Sequence, residues 1–273
     1  MVLTDKVAIV TGSGGPGCGR AVARRLARDG CAVVVSDIKD TGAAETLRLI
    51  EADGGRAALQ HANVRVESEV ETLIAFAERT FGGLDIVVNN ASAPYRPGEP
   101  MEHWTEILEA DLLGPMNAVL YARPALRRRG GGVIINFGST SAVGHGYKHC
   151  PVAAYDVAKA GVMRLTTALA VLQKSEGIRV NCIVPDWVAT PEVKEYWDAL
   201  TPEQRREQGV PAVLTSLDEI ADAVVELITD ERLAGRVMVS WSGKQRALIP
   251  VGDPGYARLE VTPGAARPAD RSR

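Results

Sequence analysis

Tyr155 and Lys159 stand four residues apart, so on a helix the phenol and the ammonium share one face. A tyrosine, with a pKa near 10, is a poor acid or base at neutral pH. A fixed cation beside it stabilises the phenolate and makes Tyr155 a usable proton donor or acceptor. Upstream, the apolar run Ile134-Ile135 leads into Asn136-Phe137-Gly138-Ser139-Thr140-Ser141. A strand ending there would bring a serine hydroxyl to the carboxyl edge of a sheet, where α/β enzymes collect their sites. That hydroxyl could hold a substrate oxygen beside the tyrosine.

A second set of residues points to a nucleotide. The run Val7–Val10 is followed by Thr11-Gly12-Ser13-Gly14-Gly15-Pro16-Gly17-Cys18-Gly19 and then at once by a helix-like segment. Glycines between a strand and a helix allow a tight turn, close approach of backbone to a pyrophosphate, and close packing of the two elements. A diphosphate there sits at the positive end of the helix dipole and is bonded by free backbone N–H groups. The second apolar run ends at Asp37, 20 residues after Gly17. A carboxylate at that spacing accepts both hydroxyls of the adenosine ribose and repels a 2′-phosphate. No Arg or Lys lies inside the glycine loop, although Lys39 is near. NAD is therefore expected, in preference to NADP.

These residues need a scaffold, and the chain supplies one. Apolar runs rich in Val and Ile recur at Val7–Val10, Ala32–Val35, Ala57–Leu59, Ile86–Val88, Val133–Ile135, Val180–Val184 and Val237–Val239. They do not alternate with polar residues, which fits strands covered on both faces. Between them lie helix-like segments: Gly19–Arg28, Glu67–Phe81, the long Trp104–Leu126 and Ala153–Lys174, and Ser216–Asp230. Pro115 and Pro124 are expected to kink or shorten the first long one. Ser216 and Glu219 form a capping-box pattern. Strand and helix alternate without a break, so the expectation is one doubly wound α/β domain over residues 1–250. Residues 251–273, with Pro, Gly, Ala and charge but no periodicity, read as a loosely ordered tail. Gly42, Gly54, Gly55, Gly82 and Gly83 read as turn and helix-end glycines.

Composition removes several function classes. The 273 residues carry 31 Lys+Arg against 34 Asp+Glu, a net charge of −3, so nothing in the balance points to nucleic acid or an anionic membrane. Purely apolar stretches fall far short of the ~20 residues a spanning helix needs. The first residues lack the zones of a signal peptide, and a cytoplasmic location is expected. The cysteines, Cys18, Cys31, Cys150 and Cys182, are scattered and read as reduced thiols. With four histidines and no ligand spacing, no catalytic metal is expected.

Taken in order, the glycine loop, Asn89-Asn90-Ala91-Ser92, Ser139, Tyr155-x-x-x-Lys159 and Arg179-Val180-Asn181 with Pro185 and Thr190 resemble the short-chain dehydrogenase/reductase family, over about residues 4 to 243. The resemblance implies a Rossmann-type sheet of seven parallel strands between two helical layers, hydride transfer at a nicotinamide, and a homo-oligomer, dimer or tetramer. It implies that Ser139 orients the carbonyl or hydroxyl and that Tyr155 passes the proton. Lys159 would hold the nicotinamide ribose and tune Tyr155. Asn63 and Val64 would flank the adenine, Asn90 and Ala91 the adjoining ribose, and Val188 and Thr190 the carboxamide and phosphate. Ser141 is the fallback serine, because the stretch from Ser139 to Tyr155 is longer than is usual in the family.

The chain departs from the family pattern at four places. Four residues, Ser13 to Pro16, separate Gly12 from Gly17, one more than usual. The helix asparagine that supports a proton relay to the lysine falls on Asp111, which can pair with Lys159. Asp186 stands where a glycine usually follows the proline, and the last strand ends Trp241-Ser242-Gly243. Residues 187–214 correspond to the variable segment that covers the substrate. There Trp187, Tyr196, Trp197 and Leu200, with His145, Tyr147 and His149 upstream, are candidate pocket residues. The leading reading is a nicotinamide-dependent dehydrogenase or ketoreductase for a mid-sized secondary alcohol or ketone, a cyclic one included. Asp111 and the lengthened loop motivate a second reading, a related enzyme doing non-redox work with bound nucleotide. A non-catalytic nucleotide-binding protein is a third.

Overall fold

The computed structural model describes residues 3–94, 103–143 and 152–252. The candidate pocket residues His145, Tyr147 and His149, together with Cys150 and residues 253–273, lie outside them. Strands β1 (Val7–Thr11), β2 (Ala32–Ser36), β3 (Arg56–Leu59), β4 (Ile86–Asn89), β5 (Gly132–Phe137), β6 (Ile178–Pro185), β7 (Val237–Ser240) and β8 (Ala247–Leu248) form one sheet in the order β3-β2-β1-β4-β5-β6-β7-β8. Pairing from β3 to β7 is parallel throughout. β8 is an addition to the expected seven strands, and it runs antiparallel to β7. Its connection, through Gly243 in a left-handed conformation, is too short for the crossover that a parallel strand requires.

The central strands are buried along their length, and their alternate residues feed two separate cores. Val10, Val33, Val88 and Ile135 pack toward α1 (Cys18–Arg28) and α10 (Leu217–Thr229). Ile9, Val34, Val87 and Ile134 pack toward α3 (Glu67–Phe81) and the helix after β4. Each core carries much of the apolar area whose burial drives folding. Ser216 and Glu219 cap α10 reciprocally, as their spacing predicts.

The two long helices are interrupted. The first comprises α4 (Trp104–Leu108), a π turn over Glu109–Leu113 and α5 (Gly114–Arg128). Pro115 does not break it, because the wider turn lies directly before the proline, whose missing N–H falls in the first turn of α5. Pro124 is carried inside α5. The second helix divides into α6 (Ala153–Ala168) and α7 (Val171–Glu176) around Leu169-Ala170, where a Cβ on Gly235 would run into Ala170. Helix α2 (Asp40–Ala52) follows β2, and α8 (Pro191–Ala199) and α9 (Pro202–Gln208) form the segment between β6 and α10.

Candidate active site

The parallel strands end together at one edge, and the glycine loop crosses it first. Gly12 has φ +63°, and a Cβ there would lie 2.6 Å from the Ala91 Cα, so only glycine fits. Asn90 fastens this turn: its Nδ2 donates to the carbonyls of Thr11, at 3.0 Å, and Gly12, at 2.9 Å. The N–H groups of Asn90 and Ala91 donate to Thr11 Oγ1 at 3.1 Å. Gly19, in the first turn of α1, sits directly under the Gly12 carbonyl.

The lengthened loop is held from the side of α2. Arg20 donates through Nη2 to the Gly14 carbonyl and, at 3.4 Å, to that of Gly42; its Nε donates to Thr46 Oγ1 at 2.9 Å. Thr46 Oγ1 donates to the Ser13 carbonyl at 2.7 Å. Gly42 is therefore not a helix-end glycine. It lies inside α2, and a Cβ on it would meet the Gly14 carbonyl oxygen at 2.7 Å. Asp37 accepts from the Gly14 N–H at 2.8 Å and from the Lys39 N–H at 2.9 Å. The ribose candidate and the loop are thus one hydrogen-bonded unit.

A nicotinamide dinucleotide fits this edge. A Cβ on Gly15 would meet nothing within 4 Å, and one on Gly17 would come no closer than 3.7 Å to Thr190 Cγ2. The loop leaves open space over the first turn of α1, whose N-cap Gly17 provides no side-chain cap. Uncapped N–H groups at the positive end of a helix suit a diphosphate. Thr190 caps α8 through Oγ1, and the buried Val188 bridges to Thr215, so both stand where the covering segment meets the loop. Asn63 and Val64 are engaged locally. Asn63 Oδ1 accepts from the Arg65 N–H at 3.1 Å, and Val64 packs against Gly114.

The catalytic candidates lie on the other half of the same edge. Ser139, at the end of β5, opens a 3₁₀ turn over Thr140–Ala142 that packs on α6. Its Oγ is 2.9 Å from Ser141 Oγ, so the first-choice serine and the fallback are hydrogen-bonded to each other. Tyr155 packs among Ile107, Val152, Ala154, Ala93 and Trp104. Lys159 Nζ lies 5.3 Å from the centroid of the Tyr155 ring, as the four-residue spacing predicts.

Lys159 is buried, and its Nζ donates to the Phe137 carbonyl at 3.0 Å. It also pairs directly with Asp111 Oδ1 at 2.9 Å. Asp111 lies in the π turn and is fully buried; its Oδ1 also accepts from Ser92 Oγ at 2.6 Å, and its Oδ2 from the Ala93 N–H at 2.9 Å. Burial alone works to lower the Lys159 pKa, but the Asp111 charge and hydrogen bond, with the Tyr155 hydroxyl, outweigh it and hold the ammonium above its ordinary value. Beneath the edge, Asn89 Nδ2 donates to Asn136 Oδ1 at 2.9 Å and Asn136 Nδ2 to Thr166 Oγ1 at 3.0 Å. This buried ladder keeps β4, β5 and α6 in fixed relation.

Asp186 and the altered end of β7 explain each other. Asp186 Oδ1 accepts from Thr140 Oγ1 at 3.0 Å and its Oδ2 from the Ser242 N–H at 3.2 Å. One carboxylate therefore ties the serine turn to the end of β7. Over the edge, Trp187 stacks on Tyr196 at 6.0 Å, and the Arg205 guanidinium lies 3.3 Å from the Trp197 ring centroid. Tyr196 and Trp197 pack within the covering segment. Sequence reasoning missed Ser92, Arg20, Gly42 and Thr46; the position of Gly42 inside a helix-forming stretch is the only local signal among them. Among the described residues, no group of three or more His, Cys, Asp or Glu is placed to hold a metal, and no helix is long and apolar enough to cross a membrane.

Known proteins share this sequence pattern and fold. Residues 15–239 match the family described as enoyl-(acyl carrier protein) reductase. The chain is 33% identical over 235 residues to a cyclohexanol dehydrogenase of Acinetobacter sp. (strain SE19), covering 83% of this chain and 89% of that one. A 7α-hydroxysteroid dehydrogenase, solved with NADH and 7-oxo glycochenodeoxycholic acid, superposes with a TM-score of 0.78 at 28% identity, covering 90% of this chain and 97% of the other. A short-chain dehydrogenase/reductase structure from Burkholderia xenovorans also has a TM-score of 0.78, at 30% identity, covering 89% and 97%. The chain belongs to the short-chain dehydrogenase/reductase family of oxidoreductases.

Proposed function

We propose that this protein interconverts a secondary alcohol and a ketone on a mid-sized substrate, a cyclic one included, with NAD(H) as cofactor. The observation that carries the reading is Lys159, held as an ammonium beside the Tyr155 ring at the same sheet edge as Ser139 and the glycine cradle. The Ser139 hydroxyl donates to the substrate oxygen and fixes its position. Tyr155 passes the proton to that oxygen as the alcohol forms, or takes it as the ketone forms. The Lys159 charge favours the phenolate and so lowers the barrier to that transfer. The nicotinamide, when bound, supplies or accepts the hydride.

Gly12, Gly14, Gly15, Gly17 and Gly19 would hold the diphosphate by backbone, and Asp37 the adenosine ribose. Arg20 is committed to Gly14, Gly42 and Thr46, which supports NAD over NADP because it offers no cation to a 2′-phosphate. The similarity to a cyclohexanol dehydrogenase supports a cyclic alcohol. Leu113, Met116, Leu120, Val157 and Val171 expose apolar side chains along the two long helical stretches, which supports a homodimer or homotetramer. Cys18, Cys31 and Cys182 are unpaired, in keeping with a reducing, cytoplasmic setting.

The test is NADH fluorescence on mixing with protein, followed by a panel of cyclic and open-chain alcohols and ketones read at the nicotinamide absorbance. Binding with turnover of a cyclic secondary alcohol is the expected result. Absence of NAD(H) binding would sink the reading. Binding without turnover across the panel would replace it with the non-redox alternative.

A further inference from the structure

Lys159 is buried among β5, α6 and the π turn, yet its ammonium is two hydrogen bonds from the surface. Lys159 Nζ lies 2.9 Å from Asp111 Oδ1, and Ser92 Oγ lies 2.6 Å from that same oxygen. Ser92 is exposed, whereas Asp111 is 1% and Lys159 4% exposed. The other carboxylate oxygen is fixed by the Ala93 N–H at 2.9 Å, so Oδ1 stays aimed at both partners. Ser92 Oγ also lies 3.3 Å from the Ala93 carbonyl, a longer second acceptor for its single proton, so the shorter bond to Asp111 is the stronger one. We propose that Asp111 and Ser92 form the proton path between Lys159 and solvent, a route made of side chains alone. The proposal rests on the reading of Tyr155 as the group that exchanges a proton with substrate.

The transfer balances. In ketone reduction, Tyr155 gives its proton to the substrate oxygen and recovers one from Lys159. Ser92 Oγ–H passes its proton to Asp111 Oδ1, that oxygen hands it on to the neutral Lys159 amine, and Ser92 regains a proton from water. The net movement is one proton from water to Tyr155, with Lys159, Asp111 and Ser92 left as they began. Alcohol oxidation runs the same steps backwards. An ionised carboxylate only accepts hydrogen bonds, so with Asp111 ionised both Lys159 and Ser92 point their protons at Oδ1. The arrangement needs a hydroxyl at position 92, on a residue that supports no core.

The titratable groups facing Lys159 are Asp111 from the π turn, Tyr155 on its own helix and Cys182 on β6, whose thiol burial pushes up to about 12. Cys182 stays a neutral, protonated thiol over the working range and takes no part in the transfer.

The first test uses the cofactor-free protein. With lysine labelled at Nζ with ¹⁵N, NMR reads the exchange of the Lys159 ammonium protons with water; the resonance is identified by its loss in Lys159→Met. Ser92→Ala should slow that exchange several-fold, and Ser92→Thr should restore it. Equal exchange in the parent and Ser92→Ala overturns the path, whatever the protein turns over. The second test is turnover with NAD(H) and an alcohol from the panel. Ser92→Ala should lower kcat about tenfold, less than the loss of a directly acting acid, with the KM for cofactor unchanged. High concentrations of a small buffer acid should recover the rate, and the solvent isotope effect should rise. An unchanged kcat and isotope effect would also overturn the path. Failure of the parent to turn over any alcohol would refute the proposed function instead, and the exchange experiment would still decide the path.

Discussion

Between Gly12 and Gly42 the site is made by backbone approaching backbone. The Gly12 turn presses on Ala91, Gly19 lies under the Gly12 carbonyl, and Gly42 admits the carbonyl of Gly14. Around Asp111 it is made by side chains gathered on a buried carboxylate, where three donors, Lys159, Ser92 and the Ala93 N–H, converge and Lys159 is the only cation among them. The two halves share a sheet edge but fail differently. A backbone cradle tolerates no added Cβ, whereas a buried ion pair tolerates no lost charge. Binding should therefore respond to substitutions in the first half, and proton transfer and alkaline stability to substitutions in the second.

The sharpest division comes from Tyr155→Phe. Removing the phenol oxygen should cut turnover by roughly 10²–10⁴-fold, the range of a positioned acid–base group, while NADH affinity measured by fluorescence stays nearly the same. A variant that turned over normally would strip Tyr155 of its role.

Asp111→Ala removes one member of a buried pair and leaves the other charged and unpaired, at a cost of about 3–5 kcal/mol in unfolding free energy. Its pH dependence has a fixed sign. The Lys159 pKa is raised in the folded state, so the pair's contribution is fully present below the lysine's unfolded value near 10.4 and fades as the pH rises through the folded value. Urea unfolding of parent and variant should thus differ most at neutral pH and below, and the gap should close as the pH rises through the lysine's range around 10.4. A gap that stayed constant into strong alkali would show that packing, not the ion pair, sets the difference.

The same division explains what the chain discloses before folding. The β1–β7 scaffold was legible because parallel strands buried on both faces read as continuous apolar runs. Tyr155, Lys159 and the glycines were legible because helical spacing and loop chemistry are local. Ser92 was not, since its partner is 19 residues away and a hydroxyl after a strand carries no signal of its own. Arg20 and Thr46 meet across 26 residues, and each reaches a carbonyl of the lengthened loop, Gly14 and Ser13, that no local pattern announces. Asp186 looked like a substitution at a glycine position; its partners, Thr140 and Ser242, come from two other strand ends. β8 escaped notice because two residues form no pattern.

On the cradle side, Gly42→Ala places a Cβ 2.7 Å from the Gly14 carbonyl oxygen and 3.0 Å from its carbon, backbone that can move only if the loop moves. Displacing the loop should cost roughly 1–3 kcal/mol, the scale of overpacking, and weaken NADH binding in step. Asp37→Ala should weaken NADH binding by about 1.5–3 kcal/mol, the scale of hydrogen bonds to a charged group. The Gly14 N–H loses its partner in the same variant. If Gly42→Ala lowered stability but left affinity alone, the brace on the lengthened loop would be separate from the nucleotide site.

Asp186→Gly is the smallest and most discriminating change, because it acts where the halves meet. It deletes the acceptor for Thr140 Oγ1 and the Ser242 N–H, two partly exposed bonds worth about 0.5–1.5 kcal/mol each. The loop backbone also gains freedom, since glycine has more unfolded conformations to lose. The turn that carries Ser139 is then tied to β7 only through the sheet. The melting temperature should fall slightly and the KM for the alcohol should rise, because a looser serine orients the substrate oxygen less well. NADH affinity and the pH–rate profile should stay as in the parent, since Lys159, Asp111 and Ser92 are untouched. A shifted pH profile would mean that the Asp186 charge is felt at the reacting atoms, and Asp186 would then belong with Asp111 among the side chains that set proton transfer.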